Sequence, residues 1–410
     1  MAYIGDVIFD VQLLMWRYIM RIRFRMCAMA GMLYLSACQS SPDLPEKRTQ
    51  KPNTPKKNEQ VSPQEPGDEA SSTKGEKARP NAPELASSTL YYDSNSSLES
   101  ALNSADDRTR SILEKLRQPT GIWLLDDLSW LDATFEKAGD KKLVLVAYNI
   151  NDRDCSGAHS AGGAADANAY RSWASGLASI IGDRDPVVIL EPDALPDANA
   201  CPNTSERLAS LRFFVSELKS RTNASVYLDS GNSGWKSAEE MSELLREAGV
   251  DQADGIALNT SNYKNTQDEE AYGRRILSLI GLNKGMVIDT SRNGNGPPPN
   301  GEWCNPEGRR VGVAPRLLPG SANVDAYLWV KKPGESDGTV GYGNCGDNWI
   351  PSPFYTGQFN LDIALSLAGE DISQLELTPD EGTCQQHKEW GNCSADWMVQ
   401  NNLCANTCSR

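Results

Sequence analysis

Histidine is nearly missing from this chain of 410 residues: there are two, His159 and His387, and no Cys-x-x-Cys pair with ligand spacing accompanies them. A zinc enzyme is therefore excluded as an expectation, and neither a metal nor a cofactor is expected. His159 lies in a glycine-rich stretch and reads as a loop hydrogen-bonder. No phosphate-binding glycine loop and no internal repeat occurs. Positive charge is short as well. The 40 Lys and Arg residues face 55 Asp and Glu, a net charge of −15, which excludes a phosphate-seeking surface and a nucleic-acid partner and fits a neutral or cationic substrate. Phenylalanine is scarce too, with 7 residues against 10 tryptophans. Flat indole faces suit the apolar faces of sugar rings, although about half of the indoles would serve as core.

Ten cysteines are present: two before residue 40, then Cys155, Cys201, Cys304 and Cys345, then Cys384, Cys393, Cys404 and Cys408. Even numbers per block point to disulfides and to an oxidising compartment. Residues 20–38, MRIRFRMCAMAGMLYLSAC, resemble a bacterial lipoprotein signal peptide. Its apolar run is too short to span a bilayer of about 30 Å, so cleavage before an acylated Cys38 is expected. Residues 1–38 are thus read as signal, with a misassigned start before Met20, and the protein as exported to a cell surface or outer membrane. Residues 39–89, rich in Pro, Ser, Lys and Glu, cannot bury enough apolar surface to fold and read as a disordered tether.

Beyond residue 90 apolar runs alternate with helical segments: GIWLL, VLVAY, VVIL, VYL, GIAL, GMVID and AYLWV are continuous rather than alternating, as in strands covered on both faces. This rhythm predicts an α/β protein with a distorted parallel barrel of about seven strands over residues 90–375. Polar residues follow each run directly, from Asn149–Asp154 and Glu191–Asp193 to Lys331–Asp337. Strand C-termini carry the chemistry of such barrels.

The stretch Tyr148–Gly163, with Asn151, Arg153 and Asp154, resembles the signature of glycoside hydrolase family 6, the β-1,4-endoglucanases and cellobiohydrolases. Leu190-Glu191-Pro192-Asp193, Tyr227–Trp235, Asn259–Tyr263, Asp289–Pro297, Glu302–Pro306 and Trp329–Gly338 follow in family order. The resemblance implies that Asp193 is the general acid, held protonated by burial and a neighbouring charge from Asp154. Arg153 and Tyr148 would assist, Tyr148 by pressing on a distorted sugar. Asp337 matches a residue proposed as base or as electrostatic partner, and the base is left open. Trp123, Trp235 and Trp303 match stacking platforms, while Asn262, Asn295, Lys331 and Glu335 match sugar-binding positions. Asn232 stands where the family commonly has His, and Asn151 where it commonly has Pro. Asp229 is read either as a sugar ligand or as an orderer of Arg153 or a loop.

The same resemblance implies inversion, with carboxyls roughly 6.5 to 9.5 Å apart, and the disulfides Cys155–Cys201 and Cys304–Cys345. The short catalytic segment suggests an endo-acting enzyme on β-1,4-glucan, with a cellobiohydrolase or a non-catalytic glucan-binding lipoprotein as alternatives. A monomer is expected. Residues 383–410 form a cysteine-rich module that resembles part of the sea-anemone potassium-channel toxin domain. That likeness implies Cys384–Cys404 and Cys393–Cys408, among the three pairings four cysteines allow. Trp390 and Trp397 there read as its small core or as a polysaccharide contact.

Overall fold

The computed structural model describes residues 89–155, 160–319, 321–338 and 356–369. Cys38, the tether before residue 89, His159, Cys345 and the module carrying Cys384, Cys393, Cys404 and Cys408 lie outside the described residues.

Two short helices, α1 (Ser97–Ser104) and α2 (Asp107–Leu113), precede β1 (Ile122–Leu124) and α3 (Leu131–Ala138). Strands and helices then alternate: β2 (Val144–Ala147), α4 (Ala167–Ile181), β3 (Val187–Leu190), α5 (Thr204–Arg221), β4 (Ser225–Asp229), α6 (Ala238–Glu247), β5 (Gly255–Leu258), α7 (Thr266–Ile280) and β6 (Gly285–Asp289). The last described elements are β7 (Arg316–Leu317), β8 (Val324–Leu328) and α8 (Leu361–Leu367). Local chemistry sets the helix ends. Asp166 accepts from Asn168 N and Ala169 N to start α4, and Ser237 and Glu240 form a reciprocal box at the start of α6. Gly281 closes α7 in the left-handed region that a side chain would resist.

The sheet runs β1-β2-β3-β4-β5-β6-β8-β7, parallel throughout except for the antiparallel β7–β8 pair. All seven apolar runs are strands, as expected. The sequence reading missed β7, whose two residues carry no apolar run to see. Every residue of β2 to β6 is buried, and the two sides of each strand feed separate cores. Leu145, Ala147, Val188 and Leu190 face the helices, while Val144, Val146, Val187 and Ile189 join Tyr227, Ala257, Val287 and Ala326 inside the curl. Each such Val, Leu or Ile side chain contributes about 1.5–3 kcal/mol by leaving water, so both faces hold the strands in register.

Among the described residues the strand ladder does not continue from β8 back to β1. The seam is spanned by Gly121 N donating to Trp329 O at 2.8 Å and by the Trp123 indole N–H donating to Val330 O at 3.0 Å. Gly121 permits this approach, because a Cβ there would sit 2.4 Å from Val330 O. All strand C-termini of the parallel set open on one side, which gathers the loops bearing the carboxylates.

Candidate active site

The loop backbones are themselves strained into place. Asp152, Asp154, Glu191, Asp193, Asn259 and Ser261 all have φ between 50° and 67°, in loops after β2, β3 and β5. Left-handed conformations cost non-glycine residues roughly 1–2 kcal/mol each and persist only where the surroundings fix them. Glu191 supplies part of that fixing. Its buried carboxylate accepts from Asn149 N at 3.1 and 3.0 Å and from Ile150 N at 3.0 Å, tying the β2 loop to the end of β3. Burial outweighs those bonds and pushes its carboxyl up to about 7.

Asp193 is the centre of an acidic group. It retains some solvent contact, yet desolvation first, then the charges of Asp229, Asp154 and Asp197, push its carboxyl well above the ordinary aspartate range. Asp229 is fully enclosed, and one of its oxygens accepts from Asp193 N at 3.1 Å and Gly231 N at 3.0 Å. Burial raises it to about 6, although these bonds pull it down. Through these bonds it orders the Asp193 backbone and its own loop.

Asp154 accepts a hydrogen bond from the Tyr148 hydroxyl. Desolvation raises its carboxyl despite that bond and the nearby Arg153 and Arg207 guanidiniums, with Asp197 adding to the rise. Arg153 lies over the Tyr148 ring, 4.5 Å from its centre, and donates to Tyr148 O at 2.6 Å and Ser160 O at 2.8 Å. Trp123 meets the same tyrosine edge-on at 5.0 Å. The expected Cys155–Cys201 disulfide is present and joins the loop after β2 to the turn after β3. Cys304 is also in a disulfide, but its expected partner Cys345 is not among the described residues.

Asp337, after β8, lives in the opposite environment. Arg292 Nη1 contacts both its oxygens at 2.8 and 2.7 Å, and Lys331 Nζ lies 3.6 Å away. The Tyr263 hydroxyl donates to it at 3.1 Å and Asn305 N at 3.0 Å. Burial alone would raise this carboxyl, but Arg292, Lys331 and the Asn305 amide overcome it and hold Asp337 below the ordinary aspartate range. Asp289 braces the surroundings, accepting from Ser261 N, Ser291 N, Val330 N and Lys331 N at 2.8–3.3 Å.

The remaining candidates divide into exposed and engaged. Trp235 and Trp303 present 42% and 36% of their surface to solvent. Asn232 is buried and its side-chain oxygen accepts from Gly234 N at 3.0 Å, so it shapes the turn that presents Trp235. Asn262 accepts from Tyr263 N at 3.0 Å, and Asn295 donates to Gly308 O at 2.8 Å. Glu335 lies 3.5 Å from Lys332. Sequence reasoning quoted Glu191, Tyr263, Asp289, Arg292 and Asn305 within motifs but gave them no role, and it overlooked Asp197 and Arg207. Asp197 was findable from its spacing, four residues after Asp193. Among the described residues, no group of His, Cys, Asp or Glu could hold a metal ion.

Hydrolysing a glycosidic bond requires one carboxyl that keeps a proton and others that do not, between surfaces that grip sugar rings. At these strand ends Asp193 is pushed well up while Asp337 is held down, two indoles stand exposed, and the molecule is a glycoside hydrolase. The chain belongs to the glycosyl hydrolases family 6, whose model matches residues 85–370. Endoglucanase 1 of Streptomyces halstedii is 41% identical over 293 residues, covering 67% of this chain and 86% of that protein. Endoglucanase A of Cellulomonas fimi is 38% identical over 274 residues, 64% of this chain and 59% of that longer protein. The solved endoglucanase Cel6 of Mycobacterium tuberculosis, in complex with methyl-cellobiosyl-4-deoxy-4-thio-β-D-cellobioside, is 35% identical. It matches with a TM-score of 0.61 over 69% of this chain and 97% of that one.

Proposed function

We propose that the protein is an inverting endo-β-1,4-glucanase acting on internal bonds of cellulose and related β-glucans. The observation that carries this reading is the contrast in company between Asp193, which reaches solvent among carboxylates, and Asp337, which is bonded to Arg292. Like charge and burial favour the protonated form of Asp193, which in this reading delivers the proton to the leaving glycosidic oxygen. Asp154 supports it electrostatically, held by the Tyr148 hydroxyl, whose ring Arg153 covers. Asp337 spends both oxygens on Arg292, Tyr263 and Asn305, which favours an electrostatic role over that of a base. Its negative charge is placed to stabilise the oxocarbenium-like transition state. Trp235 and Trp303 serve as stacking platforms, with Trp123 behind Tyr148. Lys331 and Glu335 bind hydroxyls.

The endo reading draws on the relatives named endoglucanases at 38–41% identity and on the exposure of Trp235 and Trp303. A probable cellobiohydrolase C of Aspergillus terreus is 30% identical and covers 47% of this chain. Viscosity of a soluble cellulose derivative should fall early relative to reducing ends released, with product anomers inverted by NMR. Slow viscosity loss with cellobiose as the sole product would replace the endo reading with a cellobiohydrolase.

Surface attachment is part of the same proposal. The support is the lipoprotein-like run ending at Cys38, followed by the tether. Incorporation of labelled palmitate into the wild-type chain and not into Cys38→Ser tests it; equal labelling, or none, removes the anchor.

A further inference from the structure

Between Asp193 and Cys201 the chain makes two successive turns. Asp197 N donates to Asp193 O at 3.0 Å, and Asp197 O accepts from Ala200 N at 2.8 Å and Cys201 N at 3.0 Å. These bonds fix Asp197 one turn behind Asp193, where it is 9% exposed. The far end of the second turn is fastened to the residue after Asp154 by the Cys155–Cys201 disulfide, with Cα atoms 5.6 Å apart. Arg207 of α5, itself buried, donates to Asp152 O at 2.7 Å and faces Asp197 from the helix side. The turns, the disulfide and the helix thus bring a third aspartate into the recess that Asp154 and Asp193 share.

We propose that Asp197 is a positioning residue for the acid: its carboxylate, seated one turn behind Asp193, holds the leaving-group proton on Asp193 at the pH of catalysis. The inference rests on Asp193 being the acid. The groups that face Asp193 are Asp229 from β4, Asp154 and Tyr148 from the loop after β2, and Asp197 from its own turn. Asp229 weighs most on Asp193, then Asp154, then Asp197. Arg207 tempers both Asp154 and Asp197. Like charges in a dry recess oppose ionisation of their neighbour, and Asp197 acts on Asp193 and Asp154 together. No bond to substrate is required of it.

The test is the pH profile of kcat/KM for a soluble β-1,4-gluco-oligosaccharide, measured on wild-type, Asp197→Asn, Asp197→Glu and Asp193→Asn enzymes. An aryl β-cellobioside with a dinitrophenolate leaving group, which departs without a proton, serves as the second substrate. Asp197→Asn should stay active at acid pH while its alkaline limb moves to lower pH, so that activity falls several-fold above the wild-type limb. Asp197→Glu should restore the limb, and on the activated substrate the limbs of wild-type and Asp197→Asn should coincide. A limb that does not move in Asp197→Asn, or a loss equal at every pH or equal on both substrates, overturns the proposal. If Asp197→Asn does not fold, Asp197→Ser is read against the same criteria. Wild-type activity of Asp193→Asn on the oligosaccharide would instead remove the acid assignment, whatever Asp197 does.

Discussion

Two carboxylate neighbourhoods lie at the strand ends, one after β3 and one after β8, and they are built on opposite electrostatic terms. Around Asp193 the neighbours are Asp154, Asp197 and Asp229, and desolvation is reinforced by like charge. Around Asp337 they are Arg292 and Lys331, and desolvation is overcome by unlike charge. Burial is common to both and decides nothing by itself. What differs is the sign of the company each aspartate keeps, and on that sign rests the proposed division between a proton donor and a fixed anion.

The comparison is broken most severely at the donor. Asp193→Asn should lower kcat on unactivated β-1,4-glucan by about 10²–10⁴-fold, the usual worth of a positioned general acid. Much of the loss should disappear on a dinitrophenyl β-cellobioside. Equal losses on both substrates would mean that Asp193 does something other than give a proton.

Next in size is the loss of a cation from the other side. Arg292→Leu leaves Asp337 buried and undercompensated, which should cost about 3–5 kcal/mol of stability in urea or thermal unfolding. Adding Asp337→Asn to that variant should recover part of the loss. If the double variant is as unstable as the single one, the guanidinium is supporting Ser261 and the Tyr263 ring, and not the carboxylate.

A smaller effect sharpens the comparison through pH. Asp229 titrates at about 6 in the folded chain, above the ordinary value for aspartate, so the fold binds its proton more tightly than the unfolded chain does. Its contribution to stability is fullest below about pH 4 and is lost as the pH rises through about 6. Asp337 has the opposite sign: its contribution is present above the ordinary aspartate range and is lost as the pH falls through its depressed value. Asp229→Asn keeps an oxygen for Asp193 N and should flatten the decline of unfolding midpoint between pH 4 and pH 7. The change should be on the order of 1 kcal/mol. An unchanged slope would show that Asp229 is not the group responsible.

Much of this was legible before any coordinates. Continuous apolar runs marked all seven parallel strands, because strands buried on both faces carry no alternation to hide them. Aspartates immediately after those runs marked the side of the sheet that bears the site. Apart from what the family resemblance implies for Asp193, the charge state of each aspartate was not legible, because Asp154, Asp193 and Asp337 are the same residue in the chain. Their difference comes from partners such as Arg292, 45 residues from Asp337, which only the closed-up sheet brings near. Asn232 illustrates the same limit: its side chain turns inward to its own loop, a direction that no spacing announces.

The seam between β1 and β8 has a mechanical meaning. The hoop of strands is buckled there by one backbone hydrogen bond and by the indole of Trp123, whose N–H is spent on Val330 O. The same ring also meets Tyr148 and packs against the inner core. The aromatic that backs Tyr148 is therefore also the clasp of the hoop, and Trp123→Phe would keep an aromatic ring there while undoing the clasp.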